Sequence, residues 1–255
     1  MSWTAIRHEL ATELGESISI DALTGAWRIA QRDAGHRHSA DDVLTAWFAL
    51  REMPHAPIAL DLGTGIGGVG LLVLWGLGEA ARLVAIEAQA ISFRLLQANV
   101  AGNELTARVD AIHGDLRELA DARRFPLVTG SPPYFPLGTG IVPADSQKAH
   151  ARFELRGDVA DYARAAARHV TDDGVFVFCF PTPQKERALA AVRDAGLVAT
   201  RVQDVVPRAT LRPLFTLFAA RRAGDVVEEA PFVVREQSGE LTAAMQQVRR
   251  GFGFY

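Results

Sequence analysis

Carboxylates and turn residues recur at the ends of apolar runs through the first half of this chain. Asp61 lies in the run that begins at Ile58 and leads into the turn Gly63-Thr64-Gly65-Ile66-Gly67-Gly68. Glu87 closes the run Leu83 to Ile86, and Gly114 and Asp115 follow the run Val109 to His113. Ser131-Pro132-Pro133-Tyr134 follows Leu127 to Gly130. Strand, glycine turn and helix form the layout of a nucleotide-binding unit: glycine lets the backbone turn sharply and approach a ligand, and the helix start offers free N–H groups to anionic atoms. A bare glycine turn is also ordinary in α/β proteins, so the later acids sharpen the reading. A carboxylate at the next strand end can accept from both ribose hydroxyls of a nucleoside, which points to Glu87. Asp115 can accept from an adenine amino group with Leu116 packed on the ring, or it can cap a helix.

The elements that would hold these residues alternate. Apolar runs at 58–62, 83–86, 109–113, 127–130 and 174–180 read as strands, and the segments at 69–77, 88–102, 157–170 and 183–195 read as helices. Strands alternating with helices imply parallel pairing and right-handed crossovers, with ligands at the carboxyl edge of the sheet. Residues 197–206 and 211–221 read as two final strands. Before the sheet come an amphipathic helix over 1–17, a possible hairpin over 18–35 turning at Thr24-Gly25, and a helix that Ser39 and Asp42 begin and Pro54 ends. Residues 131–156 read as one long loop rich in Pro and Gly, a length usually functional or disordered. After 222 the chain reads as a tail with an apolar patch at 232–234 and a helix from about Glu240.

The stretches DLGTGIGGVG, VAIEAQ, HGDL and SPPYF resemble the class I S-adenosylmethionine (SAM)-dependent methyltransferases, and SPPYF belongs to the amino-methyltransferases with Asn, Asp or Ser before Pro-Pro-Tyr. Within that group the chain is most similar to the bacterial tRNA adenine-N6 methyltransferases, through HRHSADDVLTAWF at 36–48, SPPYFP at 131–136 and ARFE at 151–154. The resemblance implies a Rossmann-like α/β fold: a mostly parallel sheet of seven strands with a terminal antiparallel hairpin and helices on both faces. It divides the chain into an N-terminal cap (1–56), a methyltransferase core (57–222) and a C-terminal extension (223–255). It implies SAM as cofactor, bound by Asp41, Asp61, Gly63, Thr64, Gly65, Gly67, Glu87, Asp115 and Leu116. Asp41 is equally explained as a helix cap.

The same resemblance assigns catalysis to Ser131, Pro132, Pro133 and Tyr134, and substrate binding to Phe135 and Arg152. An exocyclic base amine is a poor nucleophile because its lone pair is delocalised into the ring. The family aims a side-chain oxygen and the carbonyl of the first proline at the amine, here Ser131 and Pro132, and the two prolines hold these acceptors rigidly. Tyr134 is expected to stack on the flipped base. Arg152 and Glu154 either order the loop over the substrate or form an internal ion pair. Ser131 departs from the Asn or Asp of adenine-N6 enzymes and is more usual in cytosine-N4 enzymes, which leaves the base open. NAD is the rival cofactor. An acid precedes this turn, whereas the dinucleotide fingerprint prefers an apolar strand running into it, and nothing downstream suggests hydride transfer.

The 255 residues are 49% hydrophobic, ample for a core, and carry a net charge of −3. That charge argues against a large phosphate footprint but not a local one. Arg28, Arg32, Arg37, His36 and His38 form one candidate basic rim and Arg201, Arg208 and Arg212 another, although each alone reads first as solvated surface charge. Cys179, the single cysteine, sits in VFVFCF and reads as a packed core thiol rather than a nucleophile. No metal site is expected, because the histidines lack ligand spacing. No membrane span and no secretory leader are expected, which points to the cytoplasm. The expected function is SAM-dependent N-methylation of an exocyclic base amine, adenine N6 in tRNA, by a monomer or homodimer acting on structured RNA. The alternatives are methylation of a protein glutamine or another small amine or amide, and a SAM-binding RNA-interaction protein with decayed catalysis.

Overall fold

The structure is a computed structural model that describes residues 2–254. The chain runs α1 (Trp3–Leu14), β1 (Ile18–Thr24), β2 (Trp27–Arg32), α2 (Ala40–Glu52), β3 (Ile58–Leu62), α3 (Gly68–Leu77), β4 (Arg82–Glu87), α4 (Ala90–Gly102), β5 (Val109–His113) and β6 (Phe125–Gly130). It continues through α5 (Ser146–Arg152), α6 (Val159–His169), β7 (Val170–Pro181), α7 (Lys185–Asp194), β8 (Val198–Val206), β9 (Phe215–Arg221), β10 (Val227–Glu228), β11 (Phe232–Val233) and α8 (Ala243–Gly251). The main sheet has the order β10-β8-β9-β7-β6-β3-β4-β5, with β11 also paired to β8. β3, β4, β5, β6 and β7 pair in parallel, while β9 runs antiparallel between β7 and β8.

The expected seven strands and terminal hairpin are therefore present, and two short tail strands extend the edge beyond β8. β3 lies between β4 and β6, so the chain reverses its direction of travel across the sheet at β3. That switch point is where open α/β sheets bind ligands. Strand alternation sorts the core into two layers. Val175, Val177 and Cys179 of β7 face one cluster with α2, α3 and α4. Phe176, Phe178 and Phe180 face the other with α6 and α7, where Phe176, Phe178 and Phe218 stack at 4.8 Å centroid spacings. The helix α3 is apolar all round and buried along Val69–Leu74, as a helix wedged between sheet and hairpin must be.

The ends of the chain close on this layer. β1 and β2 form the hairpin read at Thr24-Gly25. Thr24 Oγ1 and Gly25 N–H both donate to the Phe252 carbonyl, at 2.6 and 3.2 Å. Among the described residues, no helix is long and apolar enough to cross a membrane.

Candidate functional site

A cavity opens at the carboxyl edge beside β3. Its wall takes Gly63, Thr64, Gly65 and Gly68 from the turn, Glu87 from β4, Asp115 and Leu116 after β5, and Ser131 and Pro133 after β6. The glycine turn fits this use. Gly63, Gly65 and Gly67 have φ of +60°, +60° and +96°, the left-handed region that glycine adopts without a Cβ penalty. A Cβ on Gly65 would meet nothing, so its backbone faces open space. A Cβ on Gly63 would lie 2.0 Å from Tyr162 Oη, so no other residue fits there. Gly67 is absent from the wall; it caps α3 and packs on Leu71 and Leu96.

Three acids serve different roles. Asp61 is buried and accepts from Thr64 Oγ1 at 2.6 Å and Thr129 Oγ1 at 2.7 Å. Burial pushes its carboxyl up to about 6, and those two hydroxyls draw it partly back. Glu87 accepts from the Gly65 and Gln89 N–H groups, at 2.9 and 2.7 Å, and burial raises its pKa. A carboxylate has about four lone-pair sites, so two remain for a ligand. Asp115 is gripped by Arg117 at 2.9 and 2.5 Å, which holds its carboxyl below the usual range. It also caps the 3-10 turn at 116–118, so the capping alternative is realised alongside its place in the wall.

The N-terminal helix departs from expectation by one residue. Asp42, not Asp41, lies in the cavity wall, paired with His38 Nδ1 at 3.0 Å. Burial alone would disfavour the imidazolium; the Asp42 carboxylate outweighs it, so the His38 pKa is raised and that of Asp42 lowered. Asp41 instead accepts from Tyr134 Oη at 2.9 Å. That bond also fixes where the Tyr134 hydroxyl points. Its hydroxyl lies 3.2 Å from Cys179 Sγ, its ring meets Phe180 edge-on at 6.1 Å, and it does not line the cavity. Burial, with Cys179 and Asp41 beside it, raises the phenol pKa. The hydroxyl ties the ring to α2 and β7.

Ser131 is different. Its Oγ is buried in the cavity wall without a hydrogen-bond partner among the described residues. Buried polar groups are almost always satisfied, so an orphan on a residue of the cavity wall marks a place for a ligand atom. Pro132 is buried behind it and outside the wall.

The loop over 131–156 is not structureless. It contains α5, which Asp145 caps and which brings Gln147, His150 and Ala151 over the cavity. Gln147 is buried, accepts from Arg32 at 3.1 Å and donates to Ser92 at 3.2 Å. Arg32 also bonds Asp145 at 2.7 Å and Glu16 at 2.5 Å. The alternative of an internal ion pair is realised for Glu154, with Arg187 rather than Arg152 as its partner. Glu154 pairs with Arg187, which also reaches Asp158 at 3.2 Å. The exposed Phe135 ring packs on Phe153 at 5.5 Å, and its N–H donates to the Arg152 carbonyl at 2.8 Å.

Sequence reasoning missed His38, Asp42, Gln147, His150, Arg156 and Tyr162 of the wall. The histidines and Asp42 were visible within HRHSADD, but which of them face inward depends on helix rotation. Gln147 and Tyr162 carry no signal in the sequence alone. Among the described residues no group of three or more His, Cys, Asp or Glu is placed to hold a metal.

No family model matches the chain. It is 23% identical over 226 residues to a tRNA1(Val) (adenine(37)-N6)-methyltransferase of Actinobacillus pleuropneumoniae, covering 88% of this chain and 93% of that one. It is 26% identical over 222 residues to the protein of the same name from Vibrio cholerae, covering 87% and 90%. A predicted O-methyltransferase from Agrobacterium tumefaciens superposes with a TM-score of 0.64 at 20% identity, covering 84% of this chain and 98% of that one. The cavity walls, with open backbone at Gly65 and free lone pairs on Glu87, suit an adenosine-bearing cofactor. Similarity along nearly the whole length and the shared sheet architecture agree: the fold is that of the class I SAM-dependent methyltransferases, and the chain resembles that family.

Proposed function

We propose that the protein methylates an exocyclic base amine, adenine N6 in a tRNA, and works in the cytoplasm. The observation that carries this is the orphaned Ser131 Oγ in the cavity wall. Bound SAM supplies an electrophilic methyl group. Glu87 takes the ribose hydroxyls, Asp115 and Leu116 the adenine of the cofactor, and the turn at Gly63, Thr64 and Gly65 its chain. Asp61 holds that turn through Thr64. The pair His38–Asp42 lines the same pocket and takes over the part assigned to Asp41.

Ser131 accepts one N–H of the target amine, and the Pro132 carbonyl is placed by two ring-locked φ angles to accept the other. Acceptors on both N–H bonds favour the pyramidal amine, whose lone pair then points away from them. The proton leaves after transfer, so no general base is required beforehand. The relatives' names specify an adenine in a tRNA, and their similarity spans the segments that hold Ser131. The test is nucleoside analysis of tRNA from cells lacking this gene. Loss of N6-methyladenosine, restored by the wild-type gene but not by Ser131→Ala, supports the reading. An unchanged tRNA with a lost methyl mark on a protein overturns it.

A further inference from the structure

The segment after the candidate catalytic residues leaves apolar side chains in solvent. Phe135, Leu137, Val142 and Leu155 are exposed, and Ile141 is 94% exposed. Leu211 and Leu214, in the turn between β8 and β9, are 56% and 60% exposed. The 3-10 turn Thr182–Gln184 joins the two segments, by one backbone bond and one from the Gln184 side chain. Thr182 N–H donates to the Leu214 carbonyl at 3.2 Å, and Gln184, in the same 3-10 turn, donates to the Tyr134 carbonyl at 2.6 Å. Pro181 pairs with Phe215, so the 207–214 turn stands on the carboxyl edge that also carries Ser131.

The arginines sort into two groups. Arg32, Arg37, Arg187 and Arg201 are spent on carboxylates. Arg152, Arg208 and Arg212 are exposed and take part in no ion pair among the described residues. Large apolar side chains left in solvent on two segments that bond to one shared 3-10 turn mark a place where something binds. Unpaired guanidinium groups beside it select a polyanion with flat apolar parts, which describes unpaired RNA. A base that reaches Ser131 must leave its stack, and apolar side chains can fill the space it vacates.

We propose that loop 135–142 and the 207–214 turn grip an unpaired RNA loop, with Arg208 and Arg212 on its phosphates and Leu137 and Ile141 against the bases beside the extruded one. This rests on the RNA reading above and adds where, and in what form, the RNA is held. The test titrates an unmodified anticodon stem-loop transcript, and a fully paired duplex of equal length, against the full-length protein at several salt concentrations. SAM affinity by calorimetry reports the integrity of each variant. Leu137→Ser/Ile141→Ser weakens stem-loop binding by about 10-fold with an unchanged salt slope, as for one or two lost stacking contacts, and leaves duplex binding alone. Arg208→Ala/Arg212→Ala lowers the salt slope by about 1.4, at roughly 0.7 per phosphate of a single strand. Wild-type stem-loop affinity in either variant, with SAM binding intact, overturns the proposal. So does a concentration-dependent dimer that the Leu137→Ser/Ile141→Ser protein loses while its RNA affinity stays unchanged. A wild type that binds SAM but neither the stem-loop nor whole tRNA fails the underlying RNA reading, and the surface falls with it.

Discussion

Ser131 and Asp61 show how differently two polar residues at neighbouring strand ends are used. Ser131 Oγ has no partner among the described residues, so removing it leaves their hydrogen bonds intact. Ser131→Ala is expected to keep SAM affinity while lowering kcat by about 10- to 1,000-fold, the range for one lost transition-state hydrogen bond. Ser131→Asn preserves or raises activity on adenine, and single-turnover methylation with labelled SAM reads both. Asp61 is the opposite case, fully committed to Thr64 and Thr129. Its pKa is raised from 3.8 to about 6 in the fold. The folded protein therefore holds an extra proton between those values, and stability falls as pH rises through that window. The cost once ionised is roughly 3 kcal/mol. Asp61→Asn flattens that part of the pH–stability curve, and urea unfolding at pH 4 and pH 7 measures it; an unchanged slope counts against the assignment. Which of Asp41 and Asp42 faces the cavity was not legible, because adjacent helical residues point about 100° apart and the sequence does not state the rotation. The direction of the Tyr134 hydroxyl was hidden for a related reason: Pro-Pro-Tyr specifies a rigid backbone, while that direction is set by Asp41 and Cys179, distant in sequence.

At the level of elements, the strands of the sheet were legible because each is an apolar run cut off by Asp, Glu, Gly or Pro. α5 was hidden: seven residues of SQKAHAR have no apolar stripe, and its stability comes from tertiary bonds through Gln147 and Asp145. β10 and β11 are two residues each and exist only by pairing with β8. The dependence of α5 on Arg32 is testable. Arg32 is buried and holds Glu16 and Asp145 together. Arg32→Ala leaves both carboxylates unpaired; they are 22% and 25% exposed, so the cost is about 1 to 3 kcal/mol, between that of a surface and a buried pair. Limited proteolysis should then cut faster within 136–145, and SAM should dissociate faster. Wild-type cleavage and off-rate would show that α5 is held by other contacts.

The whole molecule joins a SAM-type cavity to an edge where exposed Leu, Ile and Arg side chains cluster, while the net charge stays at −3. Net charge was a poor guide here because it does not separate Arg32, Arg37, Arg187 and Arg201, which are neutralised inside ion pairs, from Arg208 and Arg212, which stay exposed in the turn before β9. A local footprint of this kind favours a substrate recognised by shape and by an unpaired base over a long duplex. The central claim is the identity of the methylated atom. Purified protein is incubated with labelled SAM and unmodified tRNA transcripts, the RNA is digested to nucleosides, and the label is located by mass spectrometry. The account predicts label in N6-methyladenosine from wild type and near-background label from Ser131→Ala. Label confined to cytidine, or absent from RNA although SAM binds, would contradict it.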